Sequence, residues 1–285
     1  MKNSRKDLSF MSAFDKVVQA RSNNRLTSVD YINSLFGDTF FEMHGDRRFG
    51  DDKAVIGGLA SLENMPVTVI GLERGRDTKE RIERNFGSPH PEGYRKALRL
   101  MKQAEKFNRP VLCLVDTSGA FCGIGAEERG QGQAIAENLM EMSALKTPIL
   151  TILIGEGESG GALGLAVADE VWMLENAVYS VISPEGCASI LWKDSTKTAE
   201  AAECLKLTAQ DLFQMQVIER IIREPKTKES RMFESLKGLI YRTFEKYAQM
   251  DVQELLQRRY DRFRKFGQSS IMQQTIYDAP QEEAR

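Results

Sequence analysis

Histidine is nearly missing from this sequence: His44 and His90 are the 2 in 285 residues. Cysteine is scarce too, with Cys113, Cys122, Cys187 and Cys204 and no C-x-x-C pair among them. A zinc ribbon or finger draws its ligands from close-spaced Cys or His pairs, so that class is not expected. Sparse, irregular cysteines suit a reducing compartment rather than a disulfide framework. Charge of one sign is lacking as well. The formal net charge is -2, so no basic field points to nucleic acid. Long apolar runs are absent. The longest, PILTILI at 148–154, has the length of a strand and is stopped by glycines. The N-terminal stretch MKNSRKDLSFMSAFDKVVQARS has no signal-peptide core. A cytoplasmic protein without membrane contact is expected. Neither G-x-x-x-x-G-K-[ST] nor a G-x-G-x-x-G with a following acidic residue occurs, so ATP chemistry is not expected of this chain.

What is present is an ordinary globular balance, 41% hydrophobic and 28% charged. Residues up to about 41 read as helical and polar, with Thr27-Ser28-Val29-Asp30 as a helix start. The cluster 40–49 reads as loop. Two β-rich runs, 54–60 and 67–72, flank Glu63-Asn64-Met65-Pro66 and predict a hairpin. From Pro89 onward strands and helices alternate. Helices are expected over 92–107, 126–145, 159–168 and 185–192, and strands over 111–115, 149–154, 171–174 and 178–182. Unbroken apolar strands between helices mean a largely parallel, covered sheet. After Lys226, Met232, Phe233, Leu236, Leu239, Ile240, Phe244 and Tyr247 form one helical apolar stripe. The tail beyond Gly267 has no periodicity and is expected to be mobile.

The stretch GEGESGGALG at 155–164 raises the chemical question. Gly157 to Gly161 matches G-x-S-x-G, the nucleophile-elbow pattern. A nucleophilic Ser159 needs a base, and no histidine follows it; His44, His90 or a lysine would have to serve. The alternative lies in the backbone. The first amides of a helix lack intrahelical acceptors and sit at its positive end. Gly160 and Gly161 carry no side chain to block approach, so their amides fit an oxyanion hole. Glycines that only permit close helix–strand packing are the plainer reading. Another turn, the first of the two in chain order, is Asp116-Thr117-Ser118-Gly119-Ala120-Phe121-Cys122-Gly123, which follows the preceding strand. Ligands of α/β folds collect at such strand ends, so the two turns can share a pocket.

Five blocks together carry a resemblance. They are GRDTKE at 75–80, PEGYRKALRLM at 91–101, GAEERGQ at 125–131, GEGESGGAL at 155–163 and YSVISPEGCASILWK at 179–193. In this order they resemble the alpha subunit family of the bacterial acetyl-coenzyme A carboxylase carboxyltransferase, over roughly 26–267. The resemblance implies an α/β crotonase-like (ClpP/crotonase) spiral of β-β-α units with helical additions at both ends. It implies one such domain over 1–266, with a helical N-terminal region at 1–41, a helical C-terminal region at 226–266 and a mobile tail at 267–285. The activity implied is carboxyl transfer from carboxybiotin to acetyl-CoA, giving malonyl-CoA for fatty acid biosynthesis. Biotin is then the cofactor, borne on a separate biotin carboxyl carrier protein, and no metal is implied in this chain. The partners implied are a carboxyltransferase beta subunit with a zinc ribbon, in an α2β2 assembly, and a biotin carboxylase. Gly160 and Gly161 match the glycine pair that serves the ureido oxygen of biotin, whose own nitrogen can take the methyl proton. Gly119, Ala120, Glu185 and Gly186 are expected to shape the substrate pocket. The first turn departs from the family pattern at Ser118 and at Phe121-Cys122-Gly123. Rival readings are a self-sufficient enoyl-CoA hydratase, a serine peptidase and a non-catalytic scaffold. The basic cluster Arg74, Arg76, Lys79, Arg81 and Arg84 fits either CoA phosphates or a partner, or a solvated helix face laced with Asp77, Glu80 and Glu83.

Overall fold

The structure, a computed structural model, describes residues 11–224 and 230–268. Two helices open the chain, α1 (Ala13–Ala20) and α2 (Ser28–Phe36). Each starts on a hydroxyl residue with an acid three positions on. The Asp15 carboxylate accepts the Ser12 amide at 3.0 Å, and Asp30 accepts that of Thr27 at 2.9 Å. The expected helix start at Thr27 is thus observed.

An antiparallel meander follows: β1 (Phe41–Glu42), β2 (Val55–Leu62) and β3 (Met65–Leu72). Leu62 pairs with Met65, so Glu63 and Asn64 make the hairpin turn. The chain continues through α3 (Thr78–Glu83), α4 (Pro91–Lys106), β4 (Val111–Thr117), α5 (Ile124–Glu128), α6 (Gln131–Ala144), β5 (Ile149–Glu158) and α7 (Ser159–Leu163). Then come β6 (Glu170–Leu174), β7 (Val178–Ser180), α8 (Pro184–Trp192), α9 (Thr198–Leu205), α10 (Ala209–Gln214), β8 (Arg220–Ile222), α11 (Ser230–Ala248) and α12 (Val252–Arg264). The sheet order is β1-β2-β3-β4-β5-β6-β8, with β7 beside the last residues of β5. From β3 onward neighbouring strands are parallel. Every residue of β4 and of β5 is buried, as a covered parallel sheet requires.

The helices bury the stripes that the sequence predicts. Tyr94, Ala97, Leu98, Met101 and Ala104 of α4 are buried, as are Leu236, Ile240, Phe244 and Tyr247 of α11. Tyr31 of α2 meets Phe233 of α11 edge to face, with ring centroids 5.4 Å apart.

Several boundaries differ from expectation. The expected helix over 126–145 is two helices. Gly130 is left-handed at φ +83°, and the carbonyl of Arg129 is taken by Arg95 Nη1 at 2.9 Å, so the helix breaks and restarts there. The glycine-rich GEGE at 155–158 is strand rather than turn, because β7 pairs with Glu156, Gly157 and Glu158. The helix expected over 159–168 stops at Leu163. Asn138 Nδ2 donates to the Gly164 carbonyl at 3.1 Å and Thr151 Oγ1 to that of Leu165 at 2.7 Å, replacing helical partners. The strand expected to reach 182 ends at Ser180, whose hydroxyl donates to the Ile182 carbonyl and bends the chain. The cluster 40–49 holds β1 as well as loop. Residues 1–10 of the expected N-terminal helical region, 226–229 of the C-terminal one and 269–285 of the tail lie outside the described residues.

Candidate active site

The two glycine turns meet. β4 and β5 are parallel neighbours, with Thr117 opposite Gly157, so both strands end on the same edge of the sheet. A Cβ on Gly161 would lie 2.4 Å from Ala120 N and 2.6 Å from the Gly119 carbonyl carbon. Gly161 is therefore glycine because a second backbone passes where its side chain would be. Gly119 is at φ +127°, in the region open to glycine. Its amide donates to Thr117 Oγ1 at 3.1 Å, and that hydroxyl donates to the Gly119 carbonyl at 2.9 Å. On the other side Tyr94, fully buried on α4, donates its hydroxyl to the Gly161 carbonyl at 3.1 Å. Gly160 differs: among the described residues, leaving aside its own turn of helix, a Cβ there would meet Ile135 Cγ2 alone, at 3.8 Å.

The first amides of α7 have no helical partner. An i to i−4 ladder gives Ser159, Gly160, Gly161 and Ala162 no acceptor inside the helix. Glu158, the residue before it, supplies no side-chain cap. Ser159 is left-handed at φ +58° and turns strand into helix within one residue. Its side chain is exposed, and among the described residues no histidine or lysine hydrogen-bonds to it. His44 faces Asp51, and His90 contacts Asn85 and stacks on Phe121. The G-x-S-x-G stretch therefore lacks the base that a serine nucleophile requires.

One of the departures in the first turn, Phe121, is held by that stack. The Phe121 ring lies 4.1 Å from His90, nearly parallel, and the Phe121 amide donates to the Pro89 carbonyl at 2.9 Å. Asp52, buried, accepts the His90 amide at 2.7 Å and so fixes the start of α4. His90 also lines a polar cleft of about 360 Å³ that includes Lys53 and Arg129.

Beneath the second turn lies an ion network. Arg21, at the end of α1, reaches Glu156 at 2.6 Å, Glu185 at 2.7 Å and Glu158 at 3.4 Å. Arg74, which follows β3, reaches Glu156 at 2.6 Å and Asp116 at 3.6 Å. Asp116 accepts the Glu156 amide at 2.9 Å, and burial raises its carboxyl above the usual range. Burial, and then the charge of Glu156, pushes Glu158 up to about 7. Glu185 moves the other way: its hydrogen bond to Arg21 holds it below the usual range.

Gly160, Gly161, Gly119 and Ala120 thus stand together. Glu185 joins them through Arg21 rather than directly. The Gly186 amide is used within its own helix, donating to Ser183 Oγ at 3.1 Å as the cap of α8. The basic cluster is dispersed. Arg74 is drawn into the ion network, Arg76 pairs with Glu80 at 3.0 Å, and Arg84 holds the Lys53 carbonyl at 2.8 Å. Arg21, Tyr94, Asp116, Glu156 and Glu158 were not read as site residues from sequence. A signal for the last two was present: acids in G-E-G-E, continuing an apolar strand, must be buried and therefore paired.

The architecture is shared with solved structures of low sequence identity. The chain superposes on transcarboxylase 12S, with methylmalonyl-coenzyme A and methylmalonic acid bound, at a TM-score of 0.68 and 18% identity, over 88% of this chain and 47% of that one. It superposes on a Pseudomonas malonate decarboxylase hetero-tetramer in complex with coenzyme A at 0.66 and 14%, over 87% and 97%. These likenesses show the fold, which is the crotonase-like spiral. Sequence goes further. The model of the acetyl co-enzyme A carboxylase carboxyltransferase-like family matches residues 1–267. The alpha subunit of acetyl-coenzyme A carboxylase carboxyl transferase from Ruminiclostridium cellulolyticum is 63% identical over 257 residues, 90% of this chain and 98% of that protein. A beta/alpha protein from Natranaerobius thermophilus is 57% identical over 261 residues, 90% of this chain but 43% of its own length. The chain belongs to the acetyl-coenzyme A carboxylase carboxyltransferase family, among its alpha subunits. It is a carboxyl-transferring enzyme subunit that works with a beta subunit.

Proposed function

We propose that the Gly160 and Gly161 amides receive the ureido oxygen of biotin while its carboxyl group passes to acetyl-CoA, giving malonyl-CoA. The observation that carries this reading is the uncapped start of α7 beside an open Gly160. Carboxybiotin, presented by a carrier protein, supplies the carboxyl group; the chain supplies donors and shape. Negative charge developing on an oxygen between two amides is stabilised without reorganisation, because β5 and α7 already fix both donors. Tyr94 holds the Gly161 carbonyl away from that oxygen, and the backbone of Gly119 and Ala120 supports Gly161 from the side. Gly119, Ala120, Glu185 and Gly186 surround the substrate pocket in this reading.

The beta subunit, bearing the zinc ribbon, completes the thioester side in an α2β2 assembly, and a biotin carboxylase recharges the carrier. The chain acts as a single carboxyltransferase unit in the cytoplasm; its four free cysteines accord with a reducing compartment. Among the described residues no helix is long and apolar enough to cross a membrane.

The test is reconstitution. The purified chain with malonyl-CoA and free biotin, the reverse direction, should show almost no transfer. Adding the beta subunit should raise the rate by at least two orders of magnitude. An equal rate with and without that subunit, or hydratase activity of the chain alone, would refute the reading.

A further inference from the structure

The ion network under the glycine turn contains more carboxylates than cations. Asp116, Glu156, Glu158 and Glu185 share two guanidiniums, Arg21 and Arg74. Glu156 has the best of both, 2.6 Å from each arginine. Glu185 has a 2.7 Å contact and is partly open to water. Asp116 has an amide donor as well as Arg74. Glu158 has the least. It is 5% exposed, and its hydrogen bond to Arg21 is 3.4 Å long, to a guanidinium already engaged by two shorter contacts. It is also the residue immediately before Ser159, Gly160 and Gly161.

We propose that Arg21 is a positioning residue that fastens the glycine turn to α1 and to the first turn of α8, and that Glu158 holds a proton while that turn receives an anion. The proposal rests on the reading of the glycine turn given above and extends it to the charge behind the turn. A buried, poorly paired carboxylate is costly when ionised. An ionised Glu158 would also oppose, as a like charge, the negative oxygen that the turn accepts. Arg21 limits that opposition and ties three elements at once: the end of α1, the end of β5 and the start of α8. The charged groups facing Glu158 are Glu156 on its own strand, Arg21 on α1 and Glu185 on α8, with Arg74 and Asp116 next outward.

The sign of the pH effect follows. The unfolded chain releases the Glu158 proton near its ordinary value of 4.5, while the folded chain keeps it to about 7. Between those values the folded state binds more protons, so stability from this group falls as pH rises and is lowest above 7. Glu158→Gln keeps the shape and the neutral form. In thermal unfolding of the full chain, the variant should match the wild type near pH 4 and exceed it at pH 8 by roughly 2–5 °C. In the reconstituted enzyme, the ratio of variant to wild-type kcat should rise roughly fivefold between pH 6 and 8.5. Arg21→Gln should move the wild-type inflection to higher pH, since a cation beside Glu158 is lost. A merely structural Arg21 would lower kcat equally at every pH and leave the inflection where it was. Parallel pH profiles of stability and kcat for Glu158→Gln and wild type would overturn the proposal. The unfolding arm needs no transfer activity, so it reads the proton on Glu158 even where the functional reading itself fails.

Discussion

Gly160→Val should lower kcat of the assembled carboxyltransferase on the order of 10²-fold, with the melting temperature of the chain nearly unchanged. Loss of one preorganised donor to an oxyanion costs about 3–4 kcal/mol of transition-state stabilisation. Valine does not remove the amide; it narrows the approach to it and so forfeits part of that term. A β-carbon is accommodated there, since it meets Ile135 Cγ2 at an ordinary 3.8 Å. No main-chain atom has to move for that carbon, in contrast to Gly161. Gly161→Ala separates the two roles of glycine here. Its Cβ would fall 2.4 Å from Ala120 N, so the two turns must part. That variant should lose stability as well as turnover. Sequence reasoning treats the two glycines as one pair, whereas the structure gives Gly161 a packing duty that Gly160 lacks. Activity assays paired with thermal unfolding of both variants check the distinction.

Arg259→Ala should destabilise the chain by about 3–5 kcal/mol, the cost typical of stranding one partner of a buried ion pair. Arg259, on α12, is 1% exposed. It donates to both Asp169 carboxylate oxygens, at 2.9 and 2.8 Å. It also donates to the carbonyls of Met142, Leu145 and Thr147, at 2.8, 2.7 and 3.0 Å. These carbonyls leave the end of α6 and lead into β5, where helical partners have run out. Asp169 in turn accepts the Ile149 amide at 2.7 Å, at the first residue of β5. One guanidinium thus anchors the strand whose far end carries the glycine turn. Denaturant unfolding monitored by circular dichroism measures the loss.

Much of the fold was legible because it rests on periodicity. The β2–β3 hairpin, the apolar strands β4 and β5 and the stripes of α4 and α11 all follow from residue spacing. Errors fell where one tertiary contact decides a local structure. Gly130 breaks a helix whose apolar pattern runs on, because Arg95 claims the carbonyl before it. GEGE looks like a turn by composition but is strand, because β7 supplies a partner. At the site, the meeting of the two glycine turns was legible from strand order. The network of Arg21, Arg74, Asp116, Glu156 and Glu158 was not. Its members are up to 137 positions apart, and only the fold brings them together.

The central claim concerns where an oxygen sits, and a crystal structure of the chain with its beta subunit and bound biotin measures that directly. The account predicts the ureido oxygen about 2.7–3.2 Å from both the Gly160 and Gly161 nitrogens. A ureido oxygen held by other donors, with those two amides bonded to protein or facing no ligand, would contradict it.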